Sequence, residues 1–144
     1  MSRSGVLTRI DQLLSGVSTP SFVAVYRAEL ISVPATPVAA FWLSSHDELF
    51  ETLGDVSTTA TFTIKCYWRP QLSPDVREDL NAEIWDAAVA IKTALRGDSN
   101  LSGNCTDSRP MDSAITLELI NGQPFRTLTI PFEVDIYAEM SITP

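Results

Sequence analysis

From Val56 to Arg69 the chain alternates without a break. Val56, Thr58, Ala60, Phe62, Ile64, Cys66 and Trp68 fall on one side, and Ser57, Thr59, Thr61, Thr63, Lys65, Tyr67 and Arg69 on the other. A period of two over that length marks a strand with one face on a core and one polar face. Pro70 ends the run, Ser73 is placed to cap a helix, and Pro74 suits the first helical position. Val76, Leu80, Ile84, Ala87, Ile91 and Leu95 then recur at steps of four, four, three, four and four, and Gly97 stops them. That stripe predicts a helix over about 74–96, roughly 35 Å long. Whatever fold the chain adopts must lay this helix on a sheet that is apolar on one side.

The helix carries more than its stripe. Asp75, Glu78, Asp79, Glu83 and Asp86 crowd its first half while Lys92 and Arg96 stand near its end, an order that complements the helix dipole, with Arg77 the exception. Its second half, WDAAVAIKTAL, is apolar on more than one face, whereas a helix packed only on its own sheet needs a single stripe. Trp85 falls on a flank shared with Arg77, Asn81 and Lys92. The expectation is that either a loop of this chain or a neighbouring subunit covers it.

Around this unit the remaining segments read more briefly. Val6, Leu7, Ile10, Leu13, Leu14 and Val17 predict a short helix over about 5–16, with Ser4 placed as its cap. PSFVAVYRAEL predicts a strand over about 21–29. Pro34 and Pro37 suggest a loose or edge hairpin within 31–55, with VAAFWLS as its strand. Residues 97–113 form a long polar loop, of a kind that is usually functional or disordered. AITLELI, the turn NGQP and FRTLTIPFEVDIYAEM predict a hairpin. In its last strand Leu128, Ile130, Phe132, Val134, Ile136 and Ala138 face one way, and Thr129, Pro131, Glu133, Asp135, Tyr137 and Glu139 the other. The expected fold is α+β, one domain over 1–144. A mixed, mostly antiparallel sheet of about four to five strands packs against the long helix and the short N-terminal one.

Charge and composition narrow the function. A net charge of −8 argues against gripping nucleic acid through its phosphates. No run of about 18 apolar residues spans a bilayer. Arg3, Arg9 and Asp11 interrupt the N-terminal apolar pattern, so no secretory signal is read and the cytoplasm is expected. Two cysteines without a CxxC read as ordinary thiols, Cys66 as a packing residue.

A search for chemistry finds little. His46, Asp47 and Glu48, with Glu51 beyond, hold the single histidine and read as a solvated turn, because catalytic metal sites gather several converging His or Cys ligands. Glu133, Asp135 and Glu139 line one strand face, but nothing nearby in sequence partners them for acid–base work. No nucleophile elbow, Walker loop or dinucleotide fingerprint is present. Trp42, Tyr67 and Trp68 have faces on which bases stack, yet Lys65 and Arg69 supply too little positive charge beside them. No catalytic, cofactor-binding or metal-ligating residue is assigned. The aromatics read as buried or interfacial.

The order of elements resembles the tail-terminator (tail-completion) proteins of long-tailed, lambda-like bacteriophages. The likeness runs from the N-terminal helix through PSFVAVYRAEL and the alternating strand ending KCYWRPQLSPDVRE. It continues through the acidic-started helix and the polar loop to the closing strand ending VDIYAEM. The resemblance implies a virion protein, assembled in the host cytoplasm, that forms a ring, typically a hexamer. Such a ring stops polymerisation at the head-proximal end of the tail tube and offers a docking surface to the head-completion or neck protein. DNA passes through its lumen without specific binding, and an acidic wall suits that passage. A head–tail connector or stopper, or the equivalent part of a gene transfer agent, has the same needs. A small acidic-site hydrolase is the reading from another class. On the ring reading, Trp85 and Ala88 with Phe41 and Trp42 at a sheet edge are the expected subunit contacts. His46, Asp47, Glu48, Asn104 and Arg109, in loops 45–55 and 97–113, are the expected contacts to tube or neck.

Overall fold

The computed structural model describes residues 3–18, 20–52, 55–70 and 74–139, with side chains for all of these except 3, 46–52, 55–57, 74–77 and 137–139. Its centre is the alternating segment, which forms strand β3 (Asp55–Trp68) between two antiparallel neighbours. On one side lies β2 (Val38–Thr52) and on the other β6 (Gln123–Glu139). The register puts like with like: Phe41 opposite Ile64, Phe62 opposite Phe132, and Ile64 opposite Ile130. Side chains directly opposite one another share a face, so these pairs build one continuous apolar surface. A two-residue strand, β1 (Val25–Tyr26), adds parallel to β2 at one border. At the other border β4 (Asp107–Pro110) and β5 (Ala114–Ile120) pair one after the other with β6.

The apolar sheet face is covered by α1 (Arg3–Ser15) and α2 (Pro74–Arg96). Leu80, Ile84, Ala87, Ile91 and Leu95 of α2 are buried, as are Val6, Ile10 and Leu14 of α1. They pack into one core with Phe41, Phe62, Ile64, Cys66, Leu128, Ile130 and Phe132. Full burial of a branched aliphatic side chain is worth about 1.5–3 kcal/mol. The α2 stripe is therefore a principal source of stability.

The α+β class and the mixed sheet agree with the pattern, but the sheet has six strands and α1 runs longer than a helix over 5–16. The strand expected over 21–29 shrinks to Val25–Tyr26, since the polar Arg27 and Glu29 that follow are exposed. The hairpin expected within 31–55 is corrected too. Pro34 and Pro37 both precede β2, and the partner of that strand is β3. Proline before a strand costs no ladder bond. Tyr67, expected on a polar face, is buried with Val38 and Ala40, because Tyr26, Leu30, Val33 and Ala35 cross the far side of the sheet there.

Pro131 sits inside β6, a strand paired on both sides. Its carbonyl accepts a hydrogen bond from Met111 N at 2.8 Å, so the ring nitrogen also faces the β4–β5 border. β4 pairs with 132–135 and β5 with 123–129. The missing donor thus falls in the gap between the two short strands.

Ile91 and Leu119 separate core from surface. Ile91→Ala is expected to destabilise the fold by about 2–5 kcal/mol. Leu119→Ser, at a position 76 % exposed, is expected to change it by less than about 0.5 kcal/mol. Urea unfolding followed by circular dichroism reads both.

Candidate interaction surface

Among the described residues, an apolar face is left over once the core is assembled. α2 presents Trp85, 71 % exposed, and Val89, 55 % exposed, on the flank toward β5. β5 turns Ile115, Leu117 and Leu119 to the same side of the sheet as the core, beyond the cover of either helix, and all three are exposed. Between helix and strand runs a groove of about 560 Å³, lined by Trp85, Ala88, Val89 and Ile115 and bordered by Lys92, Arg96 and Arg126. Arg126 Nη2 donates to Asn81 Oδ1 at 3.4 Å, which sets this basic border against the helix. Isolated exposed apolar side chains are ordinary, but a contiguous set with a polar rim marks a contact surface.

The expected contact residues part company here. Trp85 and Ala88 meet in the groove, Trp85 exposed and Ala88 half-buried against the core. Phe41 is corrected: it is wholly buried on the core face of β2 and unavailable to any partner. Trp42, one residue on, points to the opposite face and packs partly against the Val38, Ala40 and Tyr67 cluster. Among the described side chains of that strand, Leu43 is the exposed large apolar one. Ser44 bulges where the register shifts, and its hydroxyl donates to Thr61 O at 2.8 Å. His46, Asp47 and Glu48 belong to β2 and oppose Ala60, Thr59 and Thr58, so they are strand residues and not a loop. Their side chains lie outside the described residues.

The polar loop after α2 is held at many points. Leu101 is wholly buried and anchors it. Asp98 accepts from Arg9 Nε at 2.6 Å and from Ser102 N at 3.1 Å. Those hydrogen bonds, the Arg9 bond foremost, hold its carboxyl below the usual range. Asn104 Nδ2 donates to Leu101 O at 2.8 Å. Its side chain also occupies the space a Cβ on Gly5 would need, which ties the loop to α1. Ser99 O accepts from Ser108 Oγ at 2.8 Å and from the Cys105 thiol at 3.5 Å. Cys66 and Cys105 are buried free thiols, and burial pushes Cys105 up to about 11. Neither is a ready nucleophile at neutral pH.

Arg109, expected in a loop contacting a partner, lies in β4 and is spoken for. Its Nη2 donates to Glu133 Oε2 at 2.6 Å and its Nη1 to Asp135 Oδ2 at 2.8 Å. Thr59 Oγ1 adds a hydrogen bond to Asp135 at 2.8 Å. The Arg109 bond first, then that of Thr59, lowers the Asp135 pKa. A general acid needs a proton to give near neutral pH, and Asp135 is driven the other way. Among the described residues no group of three or more His, Cys, Asp or Glu side chains is placed to hold a metal ion. No described helix is long and apolar enough to cross a membrane.

The β5 stripe was missed at the level of sequence, although AITLELI carries its signal in the alternation of Ile115, Leu117 and Leu119 with Thr116 and Glu118. Alternation shows that one face is apolar. It does not show whether a helix reaches far enough to cover that face.

Asp135 and Asp98 have folded-state pKa values below their unfolded values, so each contributes stability that is present above about pH 4 and lost as pH falls through the lower folded value. Replacing Arg109 by Met is expected to flatten the acid limb of a stability-against-pH curve measured by thermal unfolding between neutral pH and strong acid. An unchanged acid limb would mean that the Arg109 fork contributes nothing. No protein-family model matches this chain, and no curated protein matches it.

Proposed function

We propose that this chain is a ring-forming structural protein of a phage-type tail, acting at the junction of head and tail as a tail terminator. It caps the head-proximal end of the tube, halts tube growth and offers the neck its docking surface. The uncovered apolar face of α2 and β5 carries this reading. The core closes without Trp85, Val89, Ile115, Leu117 and Leu119, so burying them is left to another chain. At the opposite border of the sheet, β1 covers β2 only at Ala39 and Ala40, and exposed Leu43 lies just beyond. A contact from the α2–β5 face of one copy to the β2 border of the next joins two different surfaces. Such contacts repeat head to tail and close into a ring when the rotation allows.

Two further features support the proposal. The element order, a helix, a short strand, the long pair β2 and β3, the acidic-started helix, a loop leading into β4 and the closing hairpin of β5 and β6, is compatible with the resemblance. The charge of −8 favours a lumen through which DNA slides. In the hydrolase reading Glu133, Asp135 or His46 would carry the acid–base work; Arg109 engages both of the acids, and the His46 side chain lies outside the described residues.

Deletion of the gene is expected to give particles with tails of irregular, overlong length and heads left unjoined, counted by electron microscopy. Tails of normal, uniform length attached to heads would overturn the proposal. A point variant sharpens it. Leu117→Glu leaves the core intact, so its product is expected to fold while failing to restore tail length in the deletion background.

A further inference from the structure

Along the exposed face of α2, Glu78, Ala82, Trp85, Val89, Lys92 and Arg96 follow one another at steps of four, three, four, three and four. That is the spacing of a helix–helix seam, and it is separate from the buried stripe of Leu80, Ile84, Ala87, Ile91 and Leu95. All six lie off the core, with Glu78, Ala82, Trp85, Val89 and Arg96 exposed and Lys92 half-buried. The charges of the seam are also ordered: the acid stands at one end and the two bases at the other.

Trp85 is the midpoint of α2, whose bounds are Pro74 and Arg96. Glu78 stands seven residues before it and Lys92 seven after, each roughly 10 Å along the axis. Turning a second copy about a two-fold axis through Trp85 sets Glu78 of each chain against Lys92 of the other. The same operation brings Ala82 of each chain beside Val89 of the other. In a parallel, in-register pair Glu78 would face Glu78 while Lys92 and Arg96 faced their own kind, so charge selects the antiparallel arrangement. The small side chain of Ala82 leaves room for Val89 of the other copy on either side of the central indoles. The groove beside each Trp85, bounded by Ile115 and Arg126, receives the indole of the other copy.

We propose that free chains pair through α2 in this way, as an isologous, antiparallel dimer centred on Trp85. The occupant of the groove is a second copy of the same chain. The charge order of the seam makes it self-complementary, and an interface built on a two-fold axis requires that property. The proposal goes beyond the ring and does not rest on it. Where both hold, the two contacts share Trp85 and exclude one another, so the dimer keeps subunits out of rings until a tube end displaces it.

Sedimentation equilibrium of the full chain, from micromolar to near-millimolar concentration, is expected to show a monomer–dimer equilibrium that weakens as salt rises. Glu78→Lys and Lys92→Glu, each alone, place like charges across both symmetric contacts and are expected to weaken the dimer about tenfold or more. Mixing the two single variants restores complementary pairs at both ends of one heterodimer, so the equimolar mixture is expected to regain wild-type association. The Glu78→Lys, Lys92→Glu double variant is expected to dimerise alone. Far-ultraviolet circular dichroism of each variant checks that the fold is kept. A wild-type chain that stays monomeric throughout, or folded single variants whose mixture does not associate, would overturn the dimer. Tail length in the deletion background reads the ring separately.

Discussion

The paired registers of β3 with β2 and β6 decide everything else in this molecule. They set Phe41, Phe62, Ile64, Ile130 and Phe132 on a single face, and a slip of one residue would send each strand's set to the other side. The α2 stripe has a surface to pack on only because that face is continuous. Ile84, Ile91 and Leu95 are wholly buried against it, and α1 closes the remaining side with Ile10 and Leu14. The result is a core finished on its own terms. Its leftover surface is therefore informative, since the apolar residues of α2 and β5 that stay outside are not needed to hold the fold.

Polar contacts fasten the pieces that the core does not reach. Arg109 joins β4 to β6, Arg9 joins α1 to the loop after α2, and Arg27 reaches Asp11 from the segment after β1. Lys65 of β3 pairs with Glu118 of β5 across the intervening strand while its ammonium stands 5.7 Å from the Tyr67 ring. Thr116 and Thr127 share a hydroxyl contact at 2.8 Å on that same face. The Arg27–Asp11 and Arg109–Glu133 pairs are exposed enough that their individual worth is modest, whereas Thr127 is buried outright. The effect of the ion pairs is positional, because each joins separate elements of the chain. Among the described residues, Arg9, Arg27, Lys65 and Arg109 are engaged in such ion pairs, and Arg126 in the groove-side hydrogen bond to Asn81.

Periodicity made β3, α2 and the closing hairpin legible, because each of those segments carries its own local signal over many residues. It failed where a structure depends on something remote. Residues 31–55 read as a loose hairpin because two prolines dominate the local view, whereas the length of β2 is set by its long partner β3. Tyr67 falls on the polar side of the alternation, and nothing local shows what covers it there, because the chain that does so, from Tyr26 to Ala35, lies about thirty to forty residues earlier. The same limit applies to the contact residues. Trp85 was visible as an excess of apolar surface on a helix that already had a stripe. Phe41 and Trp42 were indistinguishable as neighbours in sequence until the pleat sent one inward and the other across. Arg109 looked available only while its acids, twenty-four and twenty-six residues away, were unplaced.

Pro131 has an effect that reaches past the single missing hydrogen bond. A seventeen-residue strand such as β6 would ordinarily support a border strand of similar length, and a long straight border is an invitation to fibrillar stacking. Here the border breaks at residue 131 into the four residues of β4 and the seven of β5, which meet β6 on either side of the gap. A stray β-segment arriving at that flank meets two short landings instead of one long track. The proline that divides this border stands inside the sheet and not on its rim.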